Sequence, residues 1–221
     1  LNLGGNAITV GRDLFAAMCR ADPQATARRP LTARALRAVI RQRRAEGLAP
    51  LTFGVVFPTS THHYELRAWL AAAGIDPDRD VAVDVLPPPA MPEALASGRI
   101  DGFCVGEPWN SLAVAEHGAE VLITKQALWP GGPEKVLGVT HRWAEAHPVD
   151  QVSRSLEGPF IEGPDQSPRA LPDFHVFYRY AANYPWASHT DWFLEQMHRA
   201  GQLPGWDIDP AAIEQARLPA V

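Results

Sequence analysis

Short apolar runs alternate with amphipathic helical patterns along the first two thirds of the chain, and no other feature constrains the fold as strongly. The run "LTFGVVF" (51–57) is ended by Pro58, a pattern that favours a buried parallel strand. Ser60 then offers a helix N-cap, apolar residues recur at helical spacing, and Gly74 ends the pattern. Because strand, helix and strand repeat in this order, the sequence predicts an α/β fold built on a parallel sheet with right-handed crossovers.

The same patterns place the remaining elements. Further strands are predicted at 6–10, 80–87, 100–110, 119–125 and 134–140, and helices at 12–20, 32–46, 91–97, 109–117, 141–148 and 188–200. The segment 157–173, rich in Pro, Gly and Asp, is predicted to be an extended surface loop. Ligands of parallel sheets gather where strands end, so a ligand site is expected at segments 57–62 and 104–110.

Composition excludes several classes of function. The 221 residues are 46% hydrophobic. They contain no apolar run of the length, about 18 residues, that a transmembrane helix needs. The formal net charge of −5 argues against nonspecific nucleic-acid binding, which requires clustered Lys and Arg. The basic stretch at 34–47 is expected to form the solvated face of a helix whose apolar side carries Leu36, Val39 and Ile40.

Cysteine and lysine are both scarce. Cys19 and Cys104 lack the spacing of a zinc or redox site, and a disulfide between them is left open. Lys125 and Lys135 are the two lysines among the 20 basic residues. A lysine retained where arginine supplies nearly all positive charge suggests a need for its compact ammonium group.

The segment "STHH" (60–63) lies at the start of a predicted helix, just beyond the end of a predicted strand. Amides at such a helix start carry partial positive charge and bind anions. The hydroxyl groups of Ser60 and Thr61 and the rings of His62 and His63 add donors, and no acidic residue of the helix precedes Glu65. This placement predicts an anion site, with a capping or packing role for the histidines as the alternative. Metal binding is disfavoured, because adjacent helical residues point about 100° apart.

Four blocks of the sequence occur in an order that resembles a known family. They are "FPTSTHHYELRAWLAAAGI" (57–75), "LPPPAMPEALASGRIDGFCVGEPWN" (86–110), "WPGGPEKVLGVTHRWAEAHP" (129–148) and "FHVFYRYAANYPWASHTDWFLEQM" (174–197). Together they resemble the nitrate- and bicarbonate-binding family of ABC-transporter solute receptors, which also includes cytosolic nitrate/nitrite sensors that control transcription antitermination. The resemblance implies a type II periplasmic-binding-protein-like α/β fold with two lobes, parallel-type sheets and a cleft that holds a small oxyanion.

The resemblance also implies which residues contact the anion. In nitrate binders a histidine of the "STH" block and a lysine of the "PEKVLGVT" block do so, and the matching residues are His62 and Lys135. "GGNAIT" (4–9) resembles the segment that crosses between the lobes; Gly5 and Asn6 stand where nitrate binders supply a glutamine and backbone groups. For a nitrate binder the resemblance implies no cofactor and no metal. It also places Glu107 in a hinge at a second crossing between the lobes.

A division of the chain into two parts follows from the same resemblance. Residues 1–107 are expected to form mainly the second lobe, with the crossing at 4–10, and residues 108–221 the return segment and the C-terminal part of the first lobe. The family carries a further segment before the position of Leu1, which supplies an aromatic wall to the anion pocket, and a helical stretch after the position of Pro148. The first lobe is therefore expected to be incomplete in this sequence.

The function expected from the resemblance is noncatalytic binding of nitrate or nitrite for an ABC-type permease. A cytosolic sensor that binds the same anion and releases an antiterminator protein is an alternative, and a bicarbonate binder, whose branch adds a calcium ion, is another. The compartment stays open: periplasmic or membrane-associated for a receptor, with the membrane reached only through the partner, and cytoplasmic for a sensor. An enzyme that resembles thiamine-pyrimidine synthases is disfavoured, because two scattered cysteines do not supply their iron motif.

Overall fold

The structure is a computed structural model that describes residues 2–130, 132–135, 175–176 and 187–202, with the backbone alone at 2–4, 133–135, 175–176 and 187–190. Its strands are β1 (Asn2–Gly4), β2 (Asn6–Val10), β3 (Leu51–Val55), β4 (Val81–Val85), β5 (Gly102–Gly106), β6 (Glu120–Thr124), β7 (Pro133–Lys135) and β8 (His175–Val176). Its helices are α1 (Arg12–Ala21), α2 (Pro23–Thr26), α3 (Arg34–Ala45), α4 (Thr61–Ala72), α5 (Met91–Ala96), α6 (Trp109–His117), α7 (Lys125–Leu128) and α8 (Ala187–Arg199).

A five-stranded sheet with the order β4-β3-β5-β2-β6 forms the centre of the described structure. The predicted parallel pairing holds for β3 with β4 and for β3 with β5. In contrast, β2 runs antiparallel to both of its neighbours, β5 and β6. A short buried run has the same apolar pattern in either direction, so the sequence does not reveal which way β2 points.

Helices cover both faces of this sheet. On one face α1, α3 and α4 pack over a core that includes Leu14, Met18, Leu36, Val39, Ile40, Phe53, Val55, Leu66 and Leu70. On the other face α5 and α6 pack over a smaller core that includes Met91, Leu95, Phe103, Val105 and Ala113. The expected role of the basic stretch is confirmed, because α3 buries its apolar side while Arg34, Arg41 and Arg44 are exposed.

A second sheet, three-stranded in the described residues, has β1 between β7 and β8. The chain passes from β1 to β2 through Gly5, whose φ of +96° favours glycine. It returns to the second sheet between α7 and β7. The expected crossing at Glu107 is wrong, because the chain continues there into α6 and β6, and β6 belongs to the first sheet. Glu107 still contacts the first crossing, since its N–H donates to the Gly5 carbonyl at 3.0 Å.

Predictions for the last third of the chain are tested in part. The helix predicted at 188–200 is confirmed as α8. The strand predicted at 134–140 is described only as far as Lys135, and the helix at 141–148 and the loop at 157–173 lie outside the described residues. The division at residue 107 stays a prediction, and β6 lies beyond it while pairing with β2.

Two further points concern the thiols and the membrane. Cys19 and Cys104 are free thiols, so the disulfide left open by the sequence is not formed. Within the described part of the chain, no helix combines the length and the apolar character that crossing a membrane requires.

Gly102 lies where β5 packs closely against its neighbours, and it provides a test of this packing. A Cβ atom at this position would lie 2.8 Å from the Phe53 ring and 2.9 Å from the Thr9 carbonyl oxygen. We expect Gly102→Ala to lower the free energy of unfolding by about 1–3 kcal/mol, since a close-packed core does not accommodate an added methyl group. Urea denaturation measures this change.

Gly11→Ala is the matched control for this substitution. A Cβ atom at Gly11 would meet its nearest neighbour, Leu95, at 3.6 Å, which is an ordinary van der Waals contact. We expect its free energy of unfolding to stay within about 0.5 kcal/mol of the parent value. Equal losses in the two variants would contradict the close packing assigned to Gly102.

Candidate functional site

One edge of the five-stranded sheet collects the segments that the sequence singles out. The strands β3, β5 and β6 all end at this edge, and β2, which runs in the opposite direction, begins there. The helix α4 starts a few residues after β3, and α7 starts directly after β6. The carboxyl ends of strands and the first turns of two helices therefore meet at one place, as expected for a ligand site of an α/β sheet.

Ser60 caps α4, which confirms its predicted role. Its hydroxyl oxygen accepts from the His63 N–H at 3.3 Å, and its carbonyl accepts from the N–H groups of His63 and Tyr64. The Ser60 O–H donates to the Phe57 carbonyl at 2.7 Å. A serine has one O–H group, so Ser60 can donate to an anion only if its bond to the Phe57 carbonyl is broken. Donation from Ser60 to an anion stays a prediction.

The two adjacent histidines have different surroundings. The Nδ1 atom of His63 lies 2.7 Å from the Pro58 carbonyl oxygen, and its ring stacks beside Tyr64. His63 is thus held to the loop before α4, which is the packing role that the sequence left open. His62 is half-buried on a neighbouring face of the same turn. Contact of His62 with a ligand, which the resemblance implies, stays a prediction.

A buried ion pair lies one turn further along α4. The Lys125 ammonium nitrogen is 2.9 Å from Glu65 Oε1, and the two side chains are 0% and 1% exposed. The Asn6 amide nitrogen donates to Glu65 Oε2 at 3.1 Å, and the Cys104 thiol lies 3.9 Å from the same oxygen. One carboxylate therefore connects α4, β2, β5 and α7 in a region shielded from water.

The Trp129 ring lies beside the lysine of this pair. The Lys125 ammonium nitrogen lies 5.7 Å from the centre of the Trp129 ring, within the range of a cation–π contact. Gly132 packs against the same ring, since a Cβ atom there would lie 2.5 Å from it. The segment that returns to the second sheet is thus closely packed around Lys125.

The helix α8 covers this corner of the sheet. Its Trp192 stacks on Trp129 with ring centres 4.0 Å apart, and its Phe193 meets the Tyr64 ring edge-on. Just beyond α8, Gln202 accepts from the Tyr64 hydroxyl at 2.5 Å and donates to the Pro58 carbonyl at 2.8 Å. Residues near the end of the described chain therefore hold the loop and the first turns of α4.

The structure places the other predicted site residues on several elements. Gly5 forms the first crossing and Asn6 opens β2. Lys135 belongs to β7, where its Cα is paired with that of Asn2 in β1. Thr61 is the first residue of α4. Contact of His62, Lys135, Ser60, Thr61, Asn6 and Gly5 with an anion stays a prediction.

Sequence reasoning missed the pairing of Glu65 with Lys125. Two signals pointed to it. Glu65 lies four residues before Trp69 and therefore on the apolar face of α4, where a charge needs a partner. Lysine is scarce in this chain, and Lys125 is one of two. Neither signal identifies the partner, because Glu65 and Lys125 are distant in sequence.

Chemically, the described residues offer donors and a positive helix end rather than a metal cage. Among them, no group of three or more His, Cys, Asp or Glu side chains is arranged to hold a metal ion. The first turn of α4 contains no acidic residue, so its amides favour a negative charge.

Comparisons with known proteins identify relatives of this chain. Residues 1–154 match the sequence model of the NMT1-like family. The chain is 30% identical over 219 residues to the nitrate/nitrite binding protein NrtA of Synechococcus elongatus, which covers 81% of this chain and 49% of that protein. It is 47% identical over 102 residues to the bicarbonate transport ATP-binding protein CmpC of Synechocystis sp., which covers 46% of this chain and 15% of that protein. The chain thus spans less than half the length of either relative.

A solved structure shows the fold. The crystal structure of the periplasmic nitrate-binding protein NrtA from Synechocystis PCC 6803 superposes with a TM-score of 0.75 at 24% sequence identity. The superposition covers 98% of this chain and 62% of that chain. The expected periplasmic-binding-protein fold is therefore confirmed.

The Glu65–Lys125 pair is tested by Lys125→Met. The substitution keeps most of the side-chain volume and leaves the Glu65 carboxylate buried without its cation. We expect the free energy of unfolding to fall by about 3–5 kcal/mol, the usual loss when one partner of a buried ion pair is removed. Urea denaturation gives the value.

Arg99→Met serves as the control for this loss. Arg99 pairs with Asp84 at 2.9 Å, but the side chains of that pair are 59% and 34% exposed. Water screens such a pair, so we expect a loss of about 1 kcal/mol or less. A loss in Lys125→Met no larger than that in Arg99→Met would contradict the buried pairing.

The shifted pKa of His63 predicts how the free energy of unfolding depends on pH. Its pKa is lowered from the ordinary value of 6.5, chiefly because burial disfavours the charged ring; Arg67 lowers it further, while the Pro58 bond and Asp78 raise it. The folded state therefore binds fewer protons at this site than the unfolded state. Its contribution to stability is complete above the unfolded pKa and is lost as the pH falls toward the folded pKa.

We expect His63→Gln to reduce this pH dependence. Urea denaturation of parent and variant at about pH 7.5 and about pH 5.5 measures it. The parent should lose more of its free energy of unfolding on acidification than the variant does. A variant that loses as much as the parent would show that other groups produce the effect.

Proposed function

The chain belongs to the NMT1-like family, and from this membership we propose that it is a noncatalytic binding protein for a small oxyanion, nitrate or nitrite, that serves an ABC-type transport system. The observation that carries the proposal is the 30% identity to a nitrate/nitrite binding protein over 81% of this chain. A similarity of that extent is expected to preserve the position of the ligand site more reliably than its exact preference among anions.

The geometry of α4 supports an anion as the ligand. Its first turn presents amides and the half-buried His62 at the edge where β3, β4, β5 and β6 end, without an acidic residue in that turn. Lys135, which we propose as the second contact, comes from the other sheet. A lysine supplies full charge and a histidine supplies a directional donor, so together they suit a planar monoanion.

Bicarbonate is the second candidate. The observation in its favour is the 47% identity to a bicarbonate transport ATP-binding protein, although that match covers 46% of this chain. Nitrate and bicarbonate are both planar monoanions with three oxygens, and bicarbonate differs by an O–H group that needs an acceptor. Donors such as His62 and Lys135 serve either anion, so an acceptor in the pocket would decide between them.

A permease is the proposed partner. An antiterminator protein would take its place in a sensor, and the same anion site would then serve regulation instead of transport. The anion chemistry is common to both roles, so the ligand can be tested before the partner is known.

Calorimetric titration of the purified chain with nitrate, nitrite, bicarbonate and chloride tests the proposal. We expect nitrate or nitrite to bind more tightly than chloride. His62→Ala and Lys135→Ala should each weaken binding by about tenfold or more, the usual effect of losing a charge-assisted hydrogen bond.

His63→Ala is the matched control, because His63 lies on the same turn of α4 but is held to Pro58. Its affinity should stay close to that of the parent. A parent chain that binds none of the four anions would overturn the proposed function. Unchanged affinity in His62→Ala and Lys135→Ala would refute the assigned contacts.

A further inference from the structure

Two short segments connect the two sheets within the described residues, and we call them the crossing segments. The first is Gly5, between β1 and β2; the second lies between α7 and β7, and its described residues are Trp129, Pro130 and Gly132. Asn6 directly follows the first segment, and Lys125 opens the helix that leads into the second. The Glu65 carboxylate contacts both Asn6 and Lys125.

We propose that Glu65 is a positioning residue that couples the first turn of α4 to both crossing segments, so that the anion site and the hinge between the sheets act as one unit. The inference rests on the proposed function only where it concerns the anion. The coupling of α4 to the crossing segments follows from the contacts alone.

The strength of the coupling comes from charge and burial. The carboxylate uses one oxygen for the Lys125 ammonium at 2.9 Å and the other for the Asn6 amide at 3.1 Å. Both charged side chains are almost fully removed from water, so neither can exchange its partner for solvent without a large cost. A movement of either crossing segment therefore has to carry Glu65 with it or break a buried charged contact.

The helix transmits such a movement to the candidate ligand residue. His62 and Glu65 are three positions apart on α4, so they lie on neighbouring parts of one face, about 4.5 Å apart along the axis. A helix turn is stiff on this scale. Displacement of Glu65 by a crossing segment is therefore expected to displace the turn that carries His62.

Backbone hydrogen bonds hold both crossing segments, and the amides of these bonds can report when a segment opens. At the first, the Glu107 N–H donates to the Gly5 carbonyl at 3.0 Å. At the second, the Trp129 N–H donates to the Lys125 carbonyl at 2.7 Å, and the Gly132 N–H to the Trp129 carbonyl at 3.0 Å. The exchange rates of these three amide hydrogens therefore measure how often each crossing segment opens.

The test compares Glu65→Gln with Trp69→Phe. Glu65→Gln keeps the shape of the side chain and removes its charge. Trp69→Phe is a matched control on the same helix: it removes the bond from the Trp69 ring to the Leu31 carbonyl, at 3.0 Å, a bond that involves neither crossing segment. Global stability is measured by urea denaturation, amide exchange by NMR, and affinity by calorimetry with nitrate and with bicarbonate.

We expect Glu65→Gln to accelerate exchange of the Glu107, Trp129 and Gly132 amides by at least about fivefold beyond any global destabilisation, the lower end of typical coupling between sites. Affinity for the anion that the parent binds should fall by a similar factor. Trp69→Phe should alter these rates only as far as it lowers global stability. Glu65→Asp, which keeps the charge and shortens the reach, should lie between parent and Glu65→Gln.

The outcomes separate the two proposals. The coupling is overturned if the amides of the crossing segments exchange equally fast in Glu65→Gln and Trp69→Phe at matched stability. It is also overturned if the parent binds an anion and Glu65→Gln binds that anion with the same affinity. Accelerated exchange in a chain that binds no anion supports the hinge role of Glu65 and rejects the proposed ligand. If Glu65→Gln does not fold, Glu65→Asp provides the same comparison with a smaller amplitude.

Discussion

The ion pair between Glu65 and Lys125 is the contact on which the corner between the two sheets depends. An isolated carboxylate or ammonium would be costly to bury there, and each is stable because the other is within hydrogen-bond distance. The Asn6 amide adds a third participant, so the pair fixes the start of β2 as well as two helices. The pair has no net charge, but each of its charged groups needs a defined partner. The arrangement therefore resists displacement more than apolar packing does.

Much of the fold was predictable because it rests on local periodicity. The apolar spacing of α4, the cap at Ser60 and the buried run of β3 follow from residues close together in sequence, and the structure confirms them. The direction of β2 and the position of the second crossing were not predictable, because they depend on which strands become neighbours. A five-residue apolar strand carries no sign of its direction.

In the candidate site, too, the features set by nearby residues were predictable, and those set by residues distant in sequence were not. The motif at residues 60–63 correctly indicated a helix start, yet it did not separate the role of His62 from that of His63. The structure adds one contact that the motif did not reveal, since the His63 ring lies beside the Pro58 carbonyl. Glu65 was visible only as a charge on an apolar face, because its partner is distant in sequence.

The position of β2 between β5 and β6 also bears on how the chain folds. Asn6 pairs with Gly106, about one hundred residues away in sequence, and Val10 pairs with Glu120. β3 and β4, in contrast, are separated by a single helix and can pair early. The first strand of this sheet therefore gains its two partners only after β5 and then β6 have been synthesised. Its insertion between β5 and β6 is the step that carries the largest loop-closure entropy, and it completes the sheet and the corner beside it together.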